Sequence, residues 1–147
     1  MGYKLNLACG HYHIDGYINL DKETGWDFID GLDYPDDSVE VITISHGLMY
    51  LPDKYFALFI KECFRVLEPN GVLRITEDDT ENPKSERYGG YPGAIAKTSY
   101  KIIQKYLLEA GFKTFSVKSH ETNYKDNTPI QARHGLPPKV FFIEGIK

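Results

Sequence analysis

Six segments of the chain carry the hydrophobic patterns of β-strands. Residues 3–10 alternate apolar and polar positions and then turn apolar, and residues 39–44 are mostly β-branched and nearly continuous in apolar character. Alternation is typical of a half-buried strand, whereas an apolar β-branched run is typical of a strand inside a parallel sheet. The pattern therefore predicts a central strand at 39–44 and further strands at 3–10, 16–21, 72–76, 112–119 and 140–146.

Two other segments repeat apolar residues at the spacing of an amphipathic helix. The first follows the segment 51–53, which offers an N-cap, and stops at residues 68–71. The second follows Thr98 or Ser99, either of which offers a cap, and ends at Gly111. Strands alternate with these helices, and the last two strands have no helix between them. This order predicts an α/β fold with a mostly parallel sheet and an antiparallel C-terminal hairpin.

The length of 147 residues, with 41% hydrophobic and 26% charged residues, is that of one globular domain over residues 1–147. Cys9 and Cys63 form no C-x-x-C motif, which argues against a disulfide framework and favours a reducing compartment. No window approaches the roughly 18 apolar residues of a membrane span, and the N-terminus lacks a signal-peptide pattern. We therefore expect a cytoplasmic protein that does not enter a membrane.

The net charge of −4 argues against a dedicated nucleic-acid binder. The charge is uneven, because residues 1–96 hold 8 Lys/Arg against 17 Asp/Glu, whereas residues 97–147 hold 9 against 4. Two solvated faces are the simpler interpretation of this asymmetry. The alternative is a basic rim in the C-terminal third that receives an anionic substrate.

Chemistry-bearing residues gather at the carboxyl ends of the predicted strands, where an open α/β sheet binds its ligands. The first strand ends in a small-residue turn at 8–10, the second ends at Asp21, the third leads into residues 45–47, and the fourth into residues 77–79. Small residues let a ligand approach the backbone of the first turn. A carboxylate after the second strand can accept both hydroxyl groups of a ribose.

The first turn does not carry a dinucleotide fingerprint. That fingerprint needs G-x-G-x-x-G at the start of a helix, and Ala8 and Tyr12 stand where further glycines would be expected. A pyrophosphate cradle, and with it a nicotinamide-binding domain, is therefore disfavoured. A nucleoside without a pyrophosphate makes a smaller demand on this turn.

Five blocks in this order resemble the class I S-adenosylmethionine-dependent methyltransferase family, in particular its short members. The blocks are LNLACG at 5–10, GYINLD at 16–21, YPDDSVEVI at 34–42, SHGL at 45–48 and FRVLEPNGVLRI at 64–75. The resemblance implies a Rossmann-like fold of three layers, in which helices flank the mostly parallel sheet. Asn6 stands where the family usually has an acidic residue, and Ala8 replaces its first glycine.

Position by position, the resemblance implies a cofactor site for S-adenosylmethionine. The turn at 8–10 would run beside the methionine portion, and Asp21 would bind the ribose hydroxyls. Asp30 would reach the adenine amine, with Asp27 as the competitor because the register before Tyr34 is open. The expected cofactor-binding residues are Asn6, Ala8, Cys9, Gly10, His11, Asp21, Lys22, Asp30, Ser45 and His46.

Methyl transfer from a sulfonium is an in-line displacement that depends mainly on holding three atoms in line with water excluded. A base is needed only when the acceptor must lose a proton, and Asp79 and His46 are the candidates by location. Asp79 is equally well explained as a turn or helix-cap carboxylate.

Other polar and aromatic residues have simpler explanations. His11 and His13 with Asp15 lie in a loop and do not supply the three or four convergent ligands that zinc needs, so no metal site is expected. Cys9 is expected to pack against a ligand rather than act as a nucleophile, and Cys63 to lie in the core. Trp26 either stacks on adenine or packs in the core.

The chain is short for the family it resembles. Only eight residues separate Gly10 from Asn19, too few for a full helix with its connections, so helices should be reduced on one face of the sheet. An apolar sheet face left in water costs roughly 25 cal/mol per Å². We expect the face to be covered either by self-association into a homo-oligomer or by aromatic-rich loops.

These observations lead to one function and two rivals. The expected function is S-adenosylmethionine-dependent methyl transfer to an unidentified small molecule or to an exposed group of a larger partner, with segments 77–97 and 120–139 setting acceptor specificity. The alternative is a non-catalytic S-adenosylmethionine- or S-adenosylhomocysteine-binding protein or partner subunit. A nicotinamide-binding domain is the weaker rival.

Replacing Asp21 with alanine tests the assignment of the ribose site. The ribose hydroxyls would lose a charged acceptor worth about 1.5–3 kcal/mol, so affinity for S-adenosylmethionine should fall by about 10- to 160-fold in a calorimetric titration. Undiminished affinity would show that the motif is assigned to the wrong residues.

Overall fold

One mixed sheet forms the centre of the computed structural model, which describes residues 2–85, 89, 96–118, 121–125 and 140–147. Its strands are β1 (Tyr3–Leu7), β2 (Ile18–Leu20), β3 (Val39–Ser45), β4 (Leu67–Asp78), β5 (Lys113–Ser116) and β6 (Val140–Ile146). Two helices, α1 (Asp53–Val66) and α2 (Tyr100–Ala110), accompany them. Three single-turn 3₁₀ helices occupy Lys22–Thr24, Phe28–Asp30 and Leu48–Tyr50.

The strand order is β2-β1-β3-β4-β6-β5. The first four of these strands are parallel, and β6 runs antiparallel to both β4 and β5. The sheet thus confirms the predicted mostly parallel arrangement with an antiparallel C-terminal hairpin. Because β1, β2 and β3 run in the same direction and lie side by side, the turns that follow them meet at one edge of the sheet.

β3 lies inside the sheet, as its apolar run predicts. Residues 39–44 are buried, and the pairing places Ile42 between Leu5 of β1 and Leu73 of β4. β-branched side chains fit this pleated, fully packed environment. The strand therefore anchors the two neighbours whose carboxyl ends flank its own.

Both α-helices pack on the same face of the sheet, in one core cluster. The rings of Phe56 in α1 and Tyr106 in α2 meet edge to face with centroids 5.5 Å apart. Cys63 lies fully buried in this core, as expected, and burial raises the pKa of its thiol far above the usual range. Within the described residues neither α-helix covers the other face, which matches the expected reduction of helices.

The ends of the helices show which capping predictions hold. Ser99 caps α2 by accepting a hydrogen bond from the Ile102 amide, while the Thr98 hydroxyl donates instead to the Asp78 carbonyl. Gly111 ends α2 with a φ of 108°, as predicted. Within the expected capping segment 51–53, Pro52 is the N-cap of α1, without a side-chain hydrogen bond, and Asp53 is the first helical residue.

Polar side chains dominate the sheet face away from the helices. Arg74 is 1% exposed and donates to the Glu144 carboxylate at 2.9 Å, and Glu144 also accepts from the Thr122 hydroxyl and from the backbone and side chain of Asn123. Beside this network Tyr124 packs in a small apolar cluster. Residues 121–125 thus cover part of this face, and an aromatic loop residue contributes to the cover.

Arg65 ties the connection between β2 and β3 to helix α1. Its guanidinium donates to the carbonyls of Leu32 and Tyr34 at 2.9 and 3.0 Å and to the Glu62 carboxylate at 2.6 Å. The hydrogen bonds from Arg65 hold the pKa of Glu62 below its usual range. This clasp fixes the path of the chain just after the 3₁₀ turns of the β2–β3 connection.

Among the helices of the described residues, none combines the length and the apolar character that crossing a bilayer requires.

Replacing Arg74 with methionine tests the buried ion pair. The substitution leaves the Glu144 carboxylate buried without its cationic partner, so the free energy of unfolding in urea should fall by about 3–5 kcal/mol. Lys22→Met is the matched control, since Lys22 pairs with Asp27 at 3.7 Å from a side chain that is 77% exposed. Its cost should stay below about 1 kcal/mol, and equal costs for both variants would contradict the assignment.

Candidate functional site

A cavity of about 440 Å³ lies at the carboxyl ends of β1, β2 and β3. This is the position at which an open α/β sheet binds ligands, and the volume is within the range of small-molecule sites. Three turns and one aromatic segment form its walls. The lining residues are Ala8, Gly10, Asp21, Lys22, Trp26, Asp27, Phe28, His46, Gly47 and Tyr50.

The turn after β1 forms the first wall. Ala8 and Gly10 both take positive φ values, 52° and 53°, which end the strand at Leu7 rather than at residue 10 as predicted. The Ala8 amide donates to the carbonyl of Leu20 at 2.8 Å, so this turn is fixed to the end of β2. Because Ala8 and Gly10 have small side chains or none, the backbone of this turn is accessible to a ligand.

Asn6 supports the loop that follows. Its side-chain amide, on a residue 4% exposed, donates to the Tyr12 carbonyl and to the Asn19 side chain, both at 2.8 Å. Asn19 in turn accepts from the Ile14 amide at 2.9 Å. Asn6 therefore positions residues 9–14 from behind and does not line the cavity.

Asp21 lines the cavity and also caps the first 3₁₀ turn. Its carboxylate accepts from the Glu23 amide at 3.3 Å, and its own amide donates to the Thr24 hydroxyl at 2.9 Å. These bonds fix the direction of the Asp21 carboxylate relative to the end of β2. A carboxylate held in this way can accept hydrogen bonds from vicinal hydroxyl groups.

An aromatic wall closes the side of the cavity next to α1. The Trp26 indole donates to the Gly31 carbonyl at 2.9 Å, and its ring lies 5.1 Å from that of Phe28. Phe28 in turn packs edge to face on Phe59 at 4.8 Å. These contacts hold a flat apolar surface beside the carboxylates.

The structure separates the two candidates for the adenine contact. Asp27 lines the cavity, whereas Asp30 turns back and accepts a hydrogen bond from the Asp27 amide at 2.9 Å. The Lys22 ammonium lies 3.7 Å from the Asp27 carboxylate. Asp27 is therefore the residue whose side chain faces the space where a ligand would bind.

The turn after β3 brings His46 into the site. His46 has a φ of 55° and is only 5% exposed, and its amide donates to the Thr76 carbonyl at 2.8 Å. Its Nδ1 lies 3.5 Å from an oxygen of the buried Asp78 carboxylate. An imidazole next to a carboxylate is an arrangement that can take up a proton.

Gly47 approaches the first turn closely. A Cβ at this position would lie 2.6 Å from the Cβ of Ala8, although the φ of Gly47, −111°, is one that any residue adopts. Space, rather than backbone conformation, therefore requires glycine here. The contact brings the turns after β1 and β3 together across the base of the cavity.

Several residues expected in the site lie outside its lining. The Cys9 thiol is buried and points toward the carbonyls of Leu20 and Gly10, and His11 is exposed, with its side chain 3.7 Å from Glu23. Asp79 caps a turn by accepting from the Glu81 amide at 3.0 Å. The residues outside the lining are Asn6, Cys9, His11, Asp30, Ser45 and Asp79.

Sequence reasoning missed Phe28 and Tyr50, which line the cavity from short 3₁₀ turns. A signal for the first turn exists, because Asp27 and Asp30 form a capping box around Phe28 and Ile29. Tyr50 has no comparable signal, since Gly47 starts its turn without a side-chain cap.

The parts of the chain expected to bind the acceptor are described incompletely. Of segments 77–97 and 120–139, residues 86–88, 90–95, 120 and 126–139 lie outside the described residues.

Among all the residues of the chain that the structure describes, His, Cys, Asp and Glu side chains form no group of three or more that could hold a metal ion.

Comparison with known proteins finds matches to part of the chain. Residues 25–75 match the family model described as a methyltransferase domain. The ubiquinone/menaquinone biosynthesis C-methyltransferase UbiE of Proteus mirabilis is 34% identical over 91 residues, which are 60% of this chain and 36% of that protein. The chain thus spans about a third of the length of this curated relative.

Solved structures match nearly the whole chain. A SAM-dependent methyltransferase from Archaeoglobus fulgidus aligns with a TM-score of 0.69 at 14% identity, covering 99% of this chain and 86% of the other. A chain of the complex between the Haloferax volcanii Trm112 methyltransferase activator and a methyltransferase aligns with a TM-score of 0.63 at 14% identity, covering 99% and 81%. At these identities the likeness establishes the fold.

Gly47→Ala tests the close approach of the two turns. The added methyl group must displace the Ala8 side chain, so we expect unfolding in urea to require about 1–3 kcal/mol less than in the unchanged protein. Ala8→Gly removes the opposing carbon and suits the positive φ there, so Gly47→Ala should cost much less in that background. Equal costs in both backgrounds would show that the two turns do not press on each other.

Proposed function

We propose that this chain is a class I S-adenosylmethionine-dependent methyltransferase, which binds S-adenosylmethionine and transfers its methyl group. The methyltransferase-domain match over residues 25–75 and the fold shared with solved methyltransferases support the proposal. The observation that carries the proposal is the cavity at the ends of β1, β2 and β3. It combines a small-residue turn, two carboxylates and an aromatic wall in one space.

The residues of the cavity fit an adenosyl group. Asp21 is placed to accept hydrogen bonds from ribose hydroxyls, and Asp27 from the adenine amine. Trp26 and Phe28 offer the base a flat apolar surface, and the turn of Ala8 and Gly10 leaves room for the methionine portion. The carboxylates of Asp21 and Asp27 also suit a ligand that carries a positive sulfonium.

When bound, S-adenosylmethionine would supply a methyl group: the acceptor would gain a bond to the methyl carbon as the carbon–sulfur bond breaks and leaves its electron pair on sulfur. The chain must hold the reacting groups in line and exclude water. His46 and Gly47, held at the end of β3 against the cavity, are placed to orient the donor. Trp26 and Phe28 give one side of the space an aromatic lining.

A proton acceptor is needed when the methyl acceptor is a hydroxyl group or an acidic carbon. Of the two candidates, His46 lines the cavity and lies 3.5 Å from Asp78, whereas Asp79 is engaged with the Glu81 amide outside the lining. We therefore propose His46 as the base for such an acceptor, with Asp78 stabilising its protonated form.

The second function we consider is cofactor binding without catalysis, in a subunit that works with another chain. The Haloferax volcanii neighbour belongs to a complex with an activator, and an analogous partner, or a second copy of this chain, would complete the acceptor site. The acceptor itself is a small molecule or an exposed group of a larger partner.

Binding can be followed through Trp26, because the chain has one tryptophan and it lines the cavity. S-adenosylmethionine and S-adenosylhomocysteine should each change the indole fluorescence in a saturable way, whereas NAD should not. Trp26→Phe is the control that must abolish the signal. A saturable fluorescence change with NAD, and none with S-adenosylmethionine or S-adenosylhomocysteine, would overturn the proposed function.

Transfer is measured separately, with a donor labelled in its methyl group and a panel of hydroxyl, amine, thiol and acidic-carbon acceptors. Label that reaches an acceptor supports the methyltransferase. Saturable donor binding with no transfer to any acceptor class favours the non-catalytic subunit.

A further inference from the structure

Glu77, at the end of β4, reaches across to the turn that follows β3. The residue is fully buried, at 0% exposure, and a single carboxylate oxygen accepts hydrogen bonds from the backbone amides of Gly47 at 2.9 Å and Leu48 at 2.7 Å. Gly47 and Leu48 lie about 30 positions before Glu77 in the sequence, and the contact adds a side-chain link to the backbone pairing between the ends of β3 and β4.

Among the described residues, the N-cap of the turn that Glu77 holds makes no side-chain capping hydrogen bond of its own. Gly47 is the N-cap of the 3₁₀ helix Leu48–Tyr50 and has no side chain to accept the first amides of that helix. Buried amides at a helix start need an acceptor, and a carboxylate is the strongest one available. An apolar side chain at position 77 would leave the buried amides of Gly47 and Leu48 without the carboxylate that accepts their hydrogen bonds.

The same turn carries a large part of the cavity wall. His46, Gly47 and Tyr50 all line the cavity, and His46 keeps a positive φ of 55° there. Gly47 in the same turn also abuts Ala8. Two contacts thus fix the turn, the close approach of Ala8 in the turn after β1 and the hydrogen bonds to the Glu77 carboxylate.

We propose that Glu77 is a positioning residue for the cofactor cavity: it does not line the space, but sets the place of His46, Gly47 and Tyr50 in its wall. The proposal rests on the proposed function, because the affinity it controls is that for S-adenosylmethionine and S-adenosylhomocysteine. It adds a residue that acts on the ligand only through the backbone of its neighbours.

Two substitutions of similar size test this role. Glu77→Met removes the acceptor, and its folded protein should bind S-adenosylhomocysteine at least about tenfold more weakly, the effect of about 1.4 kcal/mol. Glu77→Gln keeps an oxygen that can accept both amides, so its affinity should stay within about threefold of the unchanged protein. Calorimetric titration gives the affinities, and thermal unfolding gives the stability of each variant.

Glu144→Met is the matched control. Glu144 is an equally buried carboxylate, at 0% exposure. Its hydrogen bonds in the described part of the chain come from Arg74, Thr122 and Asn123, and it is not among the residues that line the cavity. Its loss should lower the melting temperature and leave the affinity of the folded protein unchanged. If Glu77→Met behaves like Glu144→Met in both measurements, Glu77 is structural only and the inference is wrong.

A measurement on the unchanged protein covers the case in which Glu77→Met does not fold. S-adenosylhomocysteine should shift the amide resonances of Gly47 and Leu48 and the side-chain carboxyl carbon of Glu77, but not that of Glu144. Binding without those shifts overturns the role of Glu77 and leaves the proposed function standing. Absence of any binding by the unchanged protein contradicts the proposed function itself.

Discussion

The contact between the turns after β1 and β3 is the constraint on which the site depends. Gly47 leaves no room for a side chain opposite Ala8, where a Cβ would come within 2.6 Å of the Ala8 Cβ. Ala8 and His46 both adopt positive φ values on either side of this contact. The two parallel strands can therefore end side by side, and their turns form the base of one cavity rather than two separate loops.

The remaining walls come from a short connection that the chain stabilises in several ways. Between β2 and β3, two capped 3₁₀ turns place Asp21, Asp27 and Phe28 beside the cavity. Arg65 then fixes the following residues to helix α1. Hydrogen bonds and aromatic contacts thus shape this wall with little regular secondary structure, and both α-helices remain on one face of the sheet.

The sequence predicts the regular elements well because their patterns report burial directly. The apolar run of β3 and the Ser99 cap and Gly111 stop of α2 have local signals that the structure follows. The start of α1 lacks a side-chain cap: Pro52 is its N-cap and makes no side-chain hydrogen bond, and Asp53 is the first helical residue. β4 begins at Leu67, directly after α1, since its first residue pairs with Val39 in the sheet.

The site is less predictable, because its lining depends on where short turns point their side chains. Asp27 and Asp30 are equivalent by residue type, and only the hydrogen bond from the Asp27 amide to Asp30 shows which carboxylate faces the cavity. The contact of Glu77 likewise depends on the register between β3 and β4, which brings the end of β4 next to Gly47 in the turn after β3. Strand-end position suggested that Glu77 matters, and the family resemblance suggested Asp30 with Asp27 as its competitor, but neither showed how these residues act.

A crystal structure of the chain with S-adenosylhomocysteine would show whether the cavity at the ends of β1, β2 and β3 is the cofactor site. We expect the ribose hydroxyls within hydrogen-bond distance of Asp21 and the adenine between Asp27 and the ring of Trp26. The homocysteine portion should lie along the turn of Ala8 and Gly10. A ligand bound elsewhere, or bound here without contact to Asp21, would contradict that assignment.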